Sequence, residues 1–390
     1  MKKIKRLLKW LVSIIALLCL GLWATGYGYI LKGVSMTYLV GRSGPGIDEK
    51  DSFFNDTVFP GENPYSWGQL STKETIQLSA TQIELLERIQ TASFLVIENE
   101  HLILEQYWGG FNKDHPTNSF SAVKSLVSLL IGIAKDEGLI KSLDECVGNY
   151  LADFNANGKE RITIRHLLTM SSGLDWHESG ANPFSDAAGA YYGSNLDQLI
   201  SSLTAVDNPG KEFSYQSGNT QILGLLLEKI TGMPVAKYAE KRVWKKIGAE
   251  HNAYWNLDSK EGRAKAFCCF YATPRDFAKI GQLILNKGTW KQKQIVSEKY
   301  VDSCFIPAVI MCNEAPLSKY GLHWWILNYK GMPVHYARGI SGQYIITIPS
   351  KKLIIIRTGW ERGPVDNDGH PTDIYNYIDI ALGLTKKINA

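Results

Sequence analysis

The hydrophobic pattern begins with a long stretch that suits the interior of a membrane. Residues 10–31, WLVSIIALLCLGLWATGYGYIL, carry no charge, and these 22 positions exceed the roughly 20 residues with which a helix crosses a bilayer. Five basic residues lie before the stretch, at positions 2, 3, 5, 6 and 9. Because segments rich in Lys and Arg stay in the cytoplasm, the pattern predicts a cytoplasmic N-terminus and an exported remainder.

A cleaved signal peptide is the alternative interpretation of this stretch. Such a peptide has a shorter apolar core and ends in an A-x-A-like site, which the Leu-Trp-Ala sequence at 22–24 matches poorly. Cys19 follows the bulky Leu18, whereas a lipoprotein signal has a small residue there. We therefore expect residues 1–32 to be a basic tip and an uncleaved transmembrane signal-anchor.

Residues 33–75 predict an extended connector. Most of it is rich in Gly, Pro, Asp and Asn, which favour turns over regular elements. It also holds aromatic residues, which indicate that it packs onto the domain at 76–390 that follows. These aromatic residues are Phe53, Phe54, Phe59, Tyr65 and Trp67.

Strand-like runs lie at both ends of this domain, and helical periodicity fills its middle. β-rich runs lie at 94–97, 102–107, 344–348 and 352–358. Helical patterns lie at 81–91, 121–137, 163–170, 219–231, 234–247 and 273–286. This order predicts an α/β fold of the α+β type, with an antiparallel sheet formed from both ends of the domain beside an inserted helical subdomain. A cleft between the two layers follows from that arrangement.

The charge distribution argues against a nucleic-acid-binding protein. The formal net charge is +4, and the five basic residues before the apolar stretch exceed it. The remainder, at about −1, lacks the clustered cations that phosphates require. Neither C-x-x-C nor H-E-x-x-H occurs, so we expect chemistry without a metal or another cofactor.

Five cysteines follow the apolar stretch, an odd number that leaves at least one of them free in an exported domain. The neighbours Cys268 and Cys269 do not readily bridge without strain. Cys146 has no obvious partner. The sequence therefore favours Cys304–Cys312 as the disulfide.

Ser121 and Lys124 lie at the head of a strongly apolar helix. Residues i and i+3 share a helix face, so we expect the Lys124 amine beside the Ser121 hydroxyl. Burial disfavours the charged form of a lysine, and the positive N-terminal end of the helix adds to this while stabilising an alkoxide. A neutral Lys124 can then accept the Ser121 proton.

The motifs that follow this helix are specific when they are taken together. They are Leu143-Asp144, ITIRHLLTMSSGL at 162–174, YQSGNT at 215–220 and YATPRDFAKIG at 271–281. In this order they resemble the serine hydrolases related to class C β-lactamases and penicillin-binding proteins, over roughly residues 91–384. The resemblance implies a β-lactamase/transpeptidase-like fold and cleavage of an amide or ester bond through an acyl-enzyme on Ser121.

The resemblance also implies roles for residues of the second motif. Tyr215 matches the tyrosine that accepts the serine proton and later activates water. The family usually has Asn two residues later, where this chain has Ser217, which can still donate a hydrogen bond to substrate. Trp176 follows the Ser-Gly-Leu turn and is a candidate for lining the cleft.

The third motif of the family is K-T-G in β-lactamases and H-x-G in many esterases. The matching residues here are Ala337, Arg338 and Gly339, so the cation that binds a β-lactam carboxylate is missing. The form resembles the aminohexanoate-oligomer hydrolases, which include amidases and esterases. Gly339 permits close backbone approach, and the Ile340 amide is expected to join the Ser121 amide as the oxyanion hole.

Two alternatives remain open beside hydrolysis of a small-molecule or short-peptide amide or ester. The first is a β-lactamase or D-alanyl peptidase that acts on cell-wall peptides, which suits an exported domain but not Ala337. The second is a penicillin-binding-like module that acylates without turnover. In each case we expect a membrane-anchored protein whose domain faces the periplasm or the exterior.

Overall fold

The computed structural model describes residues 1–69 and 76–388. Its helices are α1 Lys2–Ala24, α2 Tyr29–Met36, α3 Ala80–Arg88, α4 Val123–Asp136, α5 Ile164–Leu168, α6 Asp186–Tyr192, α7 Leu196–Ser201, α8 Ser217–Thr231, α9 Val235–Ala239, α10 Pro274–Leu285, α11 Glu298–Cys304 and α12 Asp373–Ile388. Short 3-10 turns include Phe120–Ala122 and Ile340–Gly342, and a π-helical turn at Glu240–Trp244 continues α9.

The strands are mostly short outside one central sheet. They are β1 Asn55–Val58, β2 Gly68–Gln69, β3 Thr91–Glu98, β4 His101–Tyr107, β5 Thr117–Asn118, β6 Ala253–Asn256, β7 Phe270–Ala272, β8 Thr289–Trp290, β9 Lys293–Gln294, β10 Met311–Cys312, β11 Ala315–Pro316, β12 Trp325–Tyr329, β13 Met332–Gly339, β14 Gln343–Ile348 and β15 Leu353–Gly359.

The central sheet joins the two ends of the domain, as the sequence predicts. Its order is β12-β13-β14-β15-β3-β4-β2, and every neighbouring pair is antiparallel except β2 with β4. β15 lies against β3, with Leu353 opposite Glu98. Helix α10 packs on one face of the sheet and α12 on the other. The predicted α+β architecture is therefore confirmed.

The four predicted strand-like runs pair as two hairpins, β3 with β4 and β14 with β15, and local chemistry explains the first. The loop between β3 and β4 is Asn99-Glu100, and both residues have positive φ, 49° and 65°. Two-residue hairpin loops favour this geometry because it matches the right-handed twist of the strands. The turn therefore sets the register in which β3 and β4 pair.

The predicted apolar helix is the centre of the helical layer. α4 begins at Val123, after the 3-10 turn that contains Ser121, and each of its residues from Val123 to Ala134 is buried. The helix is therefore enclosed on all sides, which explains why its sequence is apolar all round.

The predicted membrane span is too long at its C-terminal end. α1 ends at Ala24, where Thr25 donates its hydroxyl to the Gly21 carbonyl oxygen and Gly26 adopts a φ of 84°. Residues 29–36 form a separate helix, α2, which packs against α6 of the domain. The uncharged stretch at 10–31 therefore contains two helices, because the glycines after Ala24 break it.

The segment that was expected to lack regular structure contains some. β1 pairs with β6 in a second sheet of order β1-β6-β7-β5. Phe53 and Trp67 are buried, whereas Phe54 and Phe59 are exposed. Residues 33–69 therefore dock onto the domain through two buried aromatic side chains and two strands, β1 and β2, and 70–75 lie outside the described residues.

The expected disulfide is wrong. The structure bridges the neighbours Cys268 and Cys269, while Cys304 and Cys312 are free thiols. Cys304 is buried at the end of α11 beside the Ser128 hydroxyl, 3.9 Å away, whereas Cys312 lies on the β10–β11 hairpin. Cys269 adopts a φ of 65°, a backbone conformation that the pattern of the sequence does not reveal.

Candidate active site

The turn that carries Ser121 is held by the smaller sheet. Ser119 donates its amide to the Phe270 carbonyl oxygen on β7, at 2.9 Å, and the Asn118 side chain accepts from the Phe120 amide at 2.8 Å. Phe120 has a φ of 43°, an uncommon value for a bulky residue. The tight turn places Ser121 just before α4, at the N-terminal end of that helix.

Lys124 lies one helical turn further and is 1% exposed. Its Nζ is 2.9 Å from Ser121 Oγ, 3.1 Å from Ser217 Oγ and 2.9 Å from the Phe267 carbonyl oxygen. The carbonyl can only accept a hydrogen bond. The structure thus brings together Ser121, Lys124 and Ser217, the last from the start of α8.

Glu178 decides how the Ser217 hydroxyl is oriented. Its carboxylate accepts from the Ser217 amide and the Ser217 hydroxyl, each at 2.7 Å, and from Trp176 Nε1 at 2.6 Å. Because the hydroxyl proton goes to Glu178, the Ser217 oxygen must accept from Lys124. Two Lys124 protons are therefore committed to Ser217 and Phe267, which leaves the third position of the nitrogen facing Ser121.

Trp176 lies behind this carboxylate. The side chain is 5% exposed, and its ring packs so closely on Gly218 that a Cβ there would come within 2.5 Å of it. Trp176 is therefore placed to hold Glu178, and it does not line the cavity beside Ser121 as the sequence led us to expect. No local pattern in the sequence points to Glu178, which sequence reasoning missed.

Tyr215 approaches Lys124 through the face of its ring. Lys124 Nζ lies 5.2 Å from the ring centroid, a cation–π distance. The ring stacks on Trp325, with centroids 5.9 Å apart, and meets the edge of Tyr320. Within residues 1–69 and 76–388 the Tyr215 hydroxyl has no hydrogen-bond partner at Ser121 or Lys124. Hydrogen bonds between catalytic groups are often long in unliganded sites. The position of the Tyr215 ring beside Lys124 is therefore compatible with a place for Tyr215 in the site.

The third motif brings β13 against the nucleophile turn. A Cβ at Gly339 would collide with the Ser119 carbonyl oxygen, so only glycine permits this approach. Ile340 follows on a 3-10 turn and is 48% exposed at the same cavity as Ser121. Ala337 is fully buried, and Arg338 stacks over Trp325 at 3.5 Å instead of entering the cavity.

The cavity beside Ser121 has a volume of about 290 Å³. Ser217, Glu178 and Ile340 line it on the domain side, and residues of α2 and α6 form its opposite wall. The sequence did not predict that the segment after the first helix forms part of the site.

The Cys268–Cys269 bridge borders the same cavity. Cys268 lines the cavity, and the preceding residue, Phe267, supplies the carbonyl oxygen that holds Lys124. Trp255 Nε1 donates to the Cys268 carbonyl oxygen at 3.1 Å. The bridged residues therefore fix the backbone that positions Lys124.

His323 lies beneath Lys124 and is neutral. Burial, with a smaller contribution from the charge of Lys124, lowers the pKa of His323 to about 3. Its Nδ1 lies 2.8 Å from the Leu168 carbonyl oxygen, so Nδ1 carries the proton and Nε2 accepts from the Thr220 hydroxyl at 2.9 Å. Both ring nitrogens are occupied, so His323 supports the site without acting as a base in it.

The described part of the chain, 1–69 and 76–388, contains no group of three or more His, Cys, Asp or Glu side chains placed to hold a metal ion. The cavity brings together a serine, Ser121, the buried amine of Lys124 beside it, and Ile340. Such a site suits nucleophilic attack on a carbonyl carbon.

Comparisons with known proteins identify relatives of this chain. The chain is 25% identical over 317 residues to the 6-aminohexanoate-dimer hydrolase of Paenarthrobacter ureafaciens, covering 77% of this chain and 80% of that one. It is 25% identical over 208 residues to a presumed penicillin-binding protein of Bacillus subtilis (strain 168), covering 48% and 50%. A solved structure of a presumed 6-aminohexanoate-dimer hydrolase from Bacillus anthracis superposes with a TM-score of 0.76 at 24% identity, covering 86% and 92%.

The family model named Beta-lactamase matches residues 79–368, which is most of the chain and includes Ser121, Lys124, Tyr215 and Ile340. The resemblance that the motifs indicated is confirmed. The protein belongs to the beta-lactamase family of serine hydrolases.

Proposed function

We propose that the protein hydrolyses an amide or ester bond through an acyl-enzyme on Ser121. The observation that supports this proposal most directly is the 2.9 Å distance between Lys124 Nζ and Ser121 Oγ. Two protons of the Lys124 amine are directed to the Ser217 hydroxyl oxygen and the Phe267 carbonyl oxygen. A neutral amine has two N–H groups and one lone pair. The lone pair then faces the Ser121 proton.

In the first half of the reaction, Lys124 takes the proton and Ser121 Oγ attacks the substrate carbonyl carbon. The carbonyl electrons move onto oxygen, and the amides of Ser121 and Ile340 stabilise the oxyanion. As the tetrahedral intermediate collapses, the bond to the leaving amine or alcohol breaks, and Lys124 returns the proton to it with Tyr215 as partner. In the second half, water cleaves the acyl-enzyme by the same proton route.

The remaining site residues position the substrate. Gly339 lets β13 pack against the turn that carries Ser121, Ser217 lines the cavity beside the nucleophile, and Trp176 acts through Glu178. A linear amide or an ester fits this proposal, in keeping with the substrate in the name of the Paenarthrobacter relative.

The similarity to a penicillin-binding protein favours a second candidate function, which is action on cell-wall peptides or β-lactams. Those substrates carry a carboxylate, and Ala337 provides no cation for it. Of the described residues that line the cavity, Glu178 alone is charged, and it would repel a carboxylate. We therefore expect a chromogenic cephalosporin to be a poorer substrate than p-nitrophenyl esters.

Membrane anchoring through α1 is also part of the proposal. α1 is a single N-terminal helix of 23 residues that is long and apolar enough to cross a bilayer, and none of its side chains is buried by the domain. We expect the full-length protein in the membrane fraction after a carbonate wash, with the domain outside the cytoplasm. A soluble mature protein that begins after Ala24 would contradict this.

Labelling with a fluorophosphonate tests the nucleophile. We expect Ser121→Ala to abolish both labelling and turnover, and Lys124→Ala to lower turnover on the order of 100-fold or more, since a positioned general base contributes about that much. Ser179→Ala is the matched control, because Ser179 lines the same cavity without a contact to Lys124. Near-full activity in Lys124→Ala would refute the mechanism.

A further inference from the structure

The helix that follows the membrane segment forms a wall of the reaction cavity. Tyr29, Ile30, Gly33 and Val34 of α2 line it opposite Ser121. Gly33 lies so close to the Tyr192 ring that a Cβ would come within 3.2 Å, so α2 is packed tightly on α6. The cavity that holds the nucleophile is thus built partly from the segment that joins the domain to α1.

We propose that the substrate is an amphiphile taken from the bilayer, an ester or amide with a long apolar chain. This inference rests on the proposed function and on the proposed membrane anchor. Three features support it. The membrane segment lies a short distance from the cavity, the surface around the cavity entrance is apolar, and most of the cavity wall is uncharged.

The short linker between α1 and α2 limits the distance between the membrane segment and the cavity. Only four residues, 25–28, separate α1 from α2. The uncharged part of α1, residues 10–24, is about 22 Å long at about 1.5 Å per residue, which is shorter than a hydrocarbon core of about 30 Å. Such a mismatch draws the flanking residues toward the interface. α2 and the cavity behind it are therefore held at the membrane surface.

The surface around the cavity entrance is apolar, and we call it the rim. It consists of Val34, Tyr38 and Ile340, which line the cavity, and of Leu39, Val40 and Phe184, which lie within two residues of lining residues in the chain; all six are exposed. Leu39 is 76% and Tyr38 is 69% exposed. The Phe184 ring meets Tyr27 edge-on, with centroids 5.1 Å apart, which ties the rim to the segment just after α1. A contiguous exposed apolar surface of this kind indicates an interaction with another apolar phase.

Two lysine side chains near the cavity point toward a buried aromatic ring of the domain. Lys32, the charged residue of α2, places its Nζ 3.8 Å from the centroid of the buried Phe53 ring instead of facing the cavity. Lys265 lies on the same ring at 3.8 Å. The cavity wall therefore presents Ile30, Val34 and aromatic rings to the substrate, which suits an uncharged chain.

The chemistry follows the mechanism above without another reactant. The Ser121 oxygen forms a bond to the acyl carbon, the bond from that carbon to the leaving alcohol or amine breaks, and the proton from Ser121 goes to the leaving group. Water then cleaves the acyl-enzyme and releases a fatty acid, while Ser121 regains a proton.

Chain-length selectivity tests the inference on the full chain in phosphatidylcholine vesicles. We expect kcat/KM for p-nitrophenyl laurate to exceed that for the acetate by at least about tenfold, since each buried methylene contributes up to about a fourfold gain. The double variant Val34→Ser/Leu39→Ser should lower the laurate-to-acetate ratio by about tenfold. The matched control Leu139→Ser/Val206→Ser, exposed residues outside the cavity lining, should leave the ratio unchanged.

The bilayer as the source is tested with a fluorogenic acyl lipid placed either in the vesicles that hold the protein or in separate vesicles. We expect much faster release in the shared vesicles, and equal rates would overturn the inference. A flat chain-length profile, or a ratio unaffected by the rim variant, would also overturn it. If acetate turnover in that case still depends on Ser121, the proposed function stands; turnover that persists in Ser121→Ala overturns the function itself.

Discussion

Lys124 contacts three neutral oxygen atoms, and their hydrogen-bonding capacities differ. The Phe267 carbonyl can only accept, and Ser217 accepts because its own proton is given to Glu178. Only Ser121 can exchange a proton with the amine. In the proposed mechanism, the group that exchanges a proton with Lys124 is therefore set by a carboxylate, Glu178, that does not contact Lys124.

Replacing Tyr215 by Phe tests the second member of the proton route. We expect turnover to fall on the order of 100-fold, because the ring would still stack on Trp325 while the hydroxyl is lost. Steady-state kinetics on a p-nitrophenyl ester give the measurement. The loss should not add to that of Lys124→Ala, since groups in one relay are not independent.

The control for this variant is Tyr329→Phe. Tyr329 donates its hydroxyl to Asp379 at 3.0 Å, outside the cavity, so its loss should leave turnover unchanged. Unaltered far-UV circular dichroism of Tyr215→Phe would show that folding is intact. A folded Tyr215→Phe protein with full activity would remove the tyrosine from the mechanism.

At the residue scale, the sequence predicted what local spacing determines. Ser121 and Lys124 are one helical turn apart, so their contact follows from helix geometry. Phe267 reaches Lys124, and Glu178 reaches Ser217, only through tertiary packing, and no periodicity marks either residue. The disulfide was misassigned because the choice between neighbours and distant cysteines depends on a backbone conformation, the positive φ of Cys269.

Among the elements, α4 is the one on which the site depends, and it packs tightly at Gly132. A Cβ at this position would overlap the Tyr300 ring on α11. We expect Gly132→Ala to lower the free energy of unfolding by roughly 1–3 kcal/mol, because overpacking a core displaces its neighbours. Urea denaturation gives the measurement.

The matched substitution Gly383→Ala lies inside α12, where a new Cβ meets no atom within 4 Å. It should stabilise by up to about 1 kcal/mol, since alanine favours helix over glycine. Equal effects of the two substitutions would show that the contact between α4 and α11 is looser than the structure indicates.

Element boundaries were predicted well where a cap or a turn marks them. Thr273 caps α10 as expected, with its side chain accepting from the Asp276 amide. α3 is capped by Ser79 with Gln82, two residues before the predicted helical pattern begins at Thr81, because Thr81 with Glu84 satisfies the same capping pattern in the sequence. β1, with the polar sequence NDTV, was missed because its stability comes from pairing with β6.

On the scale of the whole molecule, acid should destabilise the protein partly through His323. The pKa of this buried group is lowered to about 3, below the unfolded value of about 6.5. The unfolded state therefore binds more protons between these values, so stability is full above pH 6.5 and is lost as pH falls toward 3. The slope from one such group is at most about 1.4 kcal/mol per pH unit.

Guanidinium denaturation of wild type and His323→Gln between pH 8 and pH 4 measures this contribution. We expect the difference in unfolding free energy between the two proteins to shrink as the pH falls below about 6.5. A difference that stays constant across this range would mean that His323 is accessible to protons in the folded state.

The architecture of the domain was predictable because strand patterns at both ends and helices between them leave few alternatives. The way residues 29–69 dock was not predictable, since α2, Phe53 and Trp67 find their partners on helices and strands more than a hundred residues away. That docking completes the cavity.

The pairing of β3 with β15 joins residues about 255 positions apart, Glu98 with Leu353. Protein synthesis delivers the N-terminal half first, so β3 waits with an unpaired edge until nearly the whole chain has emerged, and such edges invite aggregation. The same delay keeps Ser121 apart from Ile340 during synthesis. The nascent chain therefore contains its nucleophile during most of its synthesis but cannot use it. The enzyme is inactive until its last strands have formed.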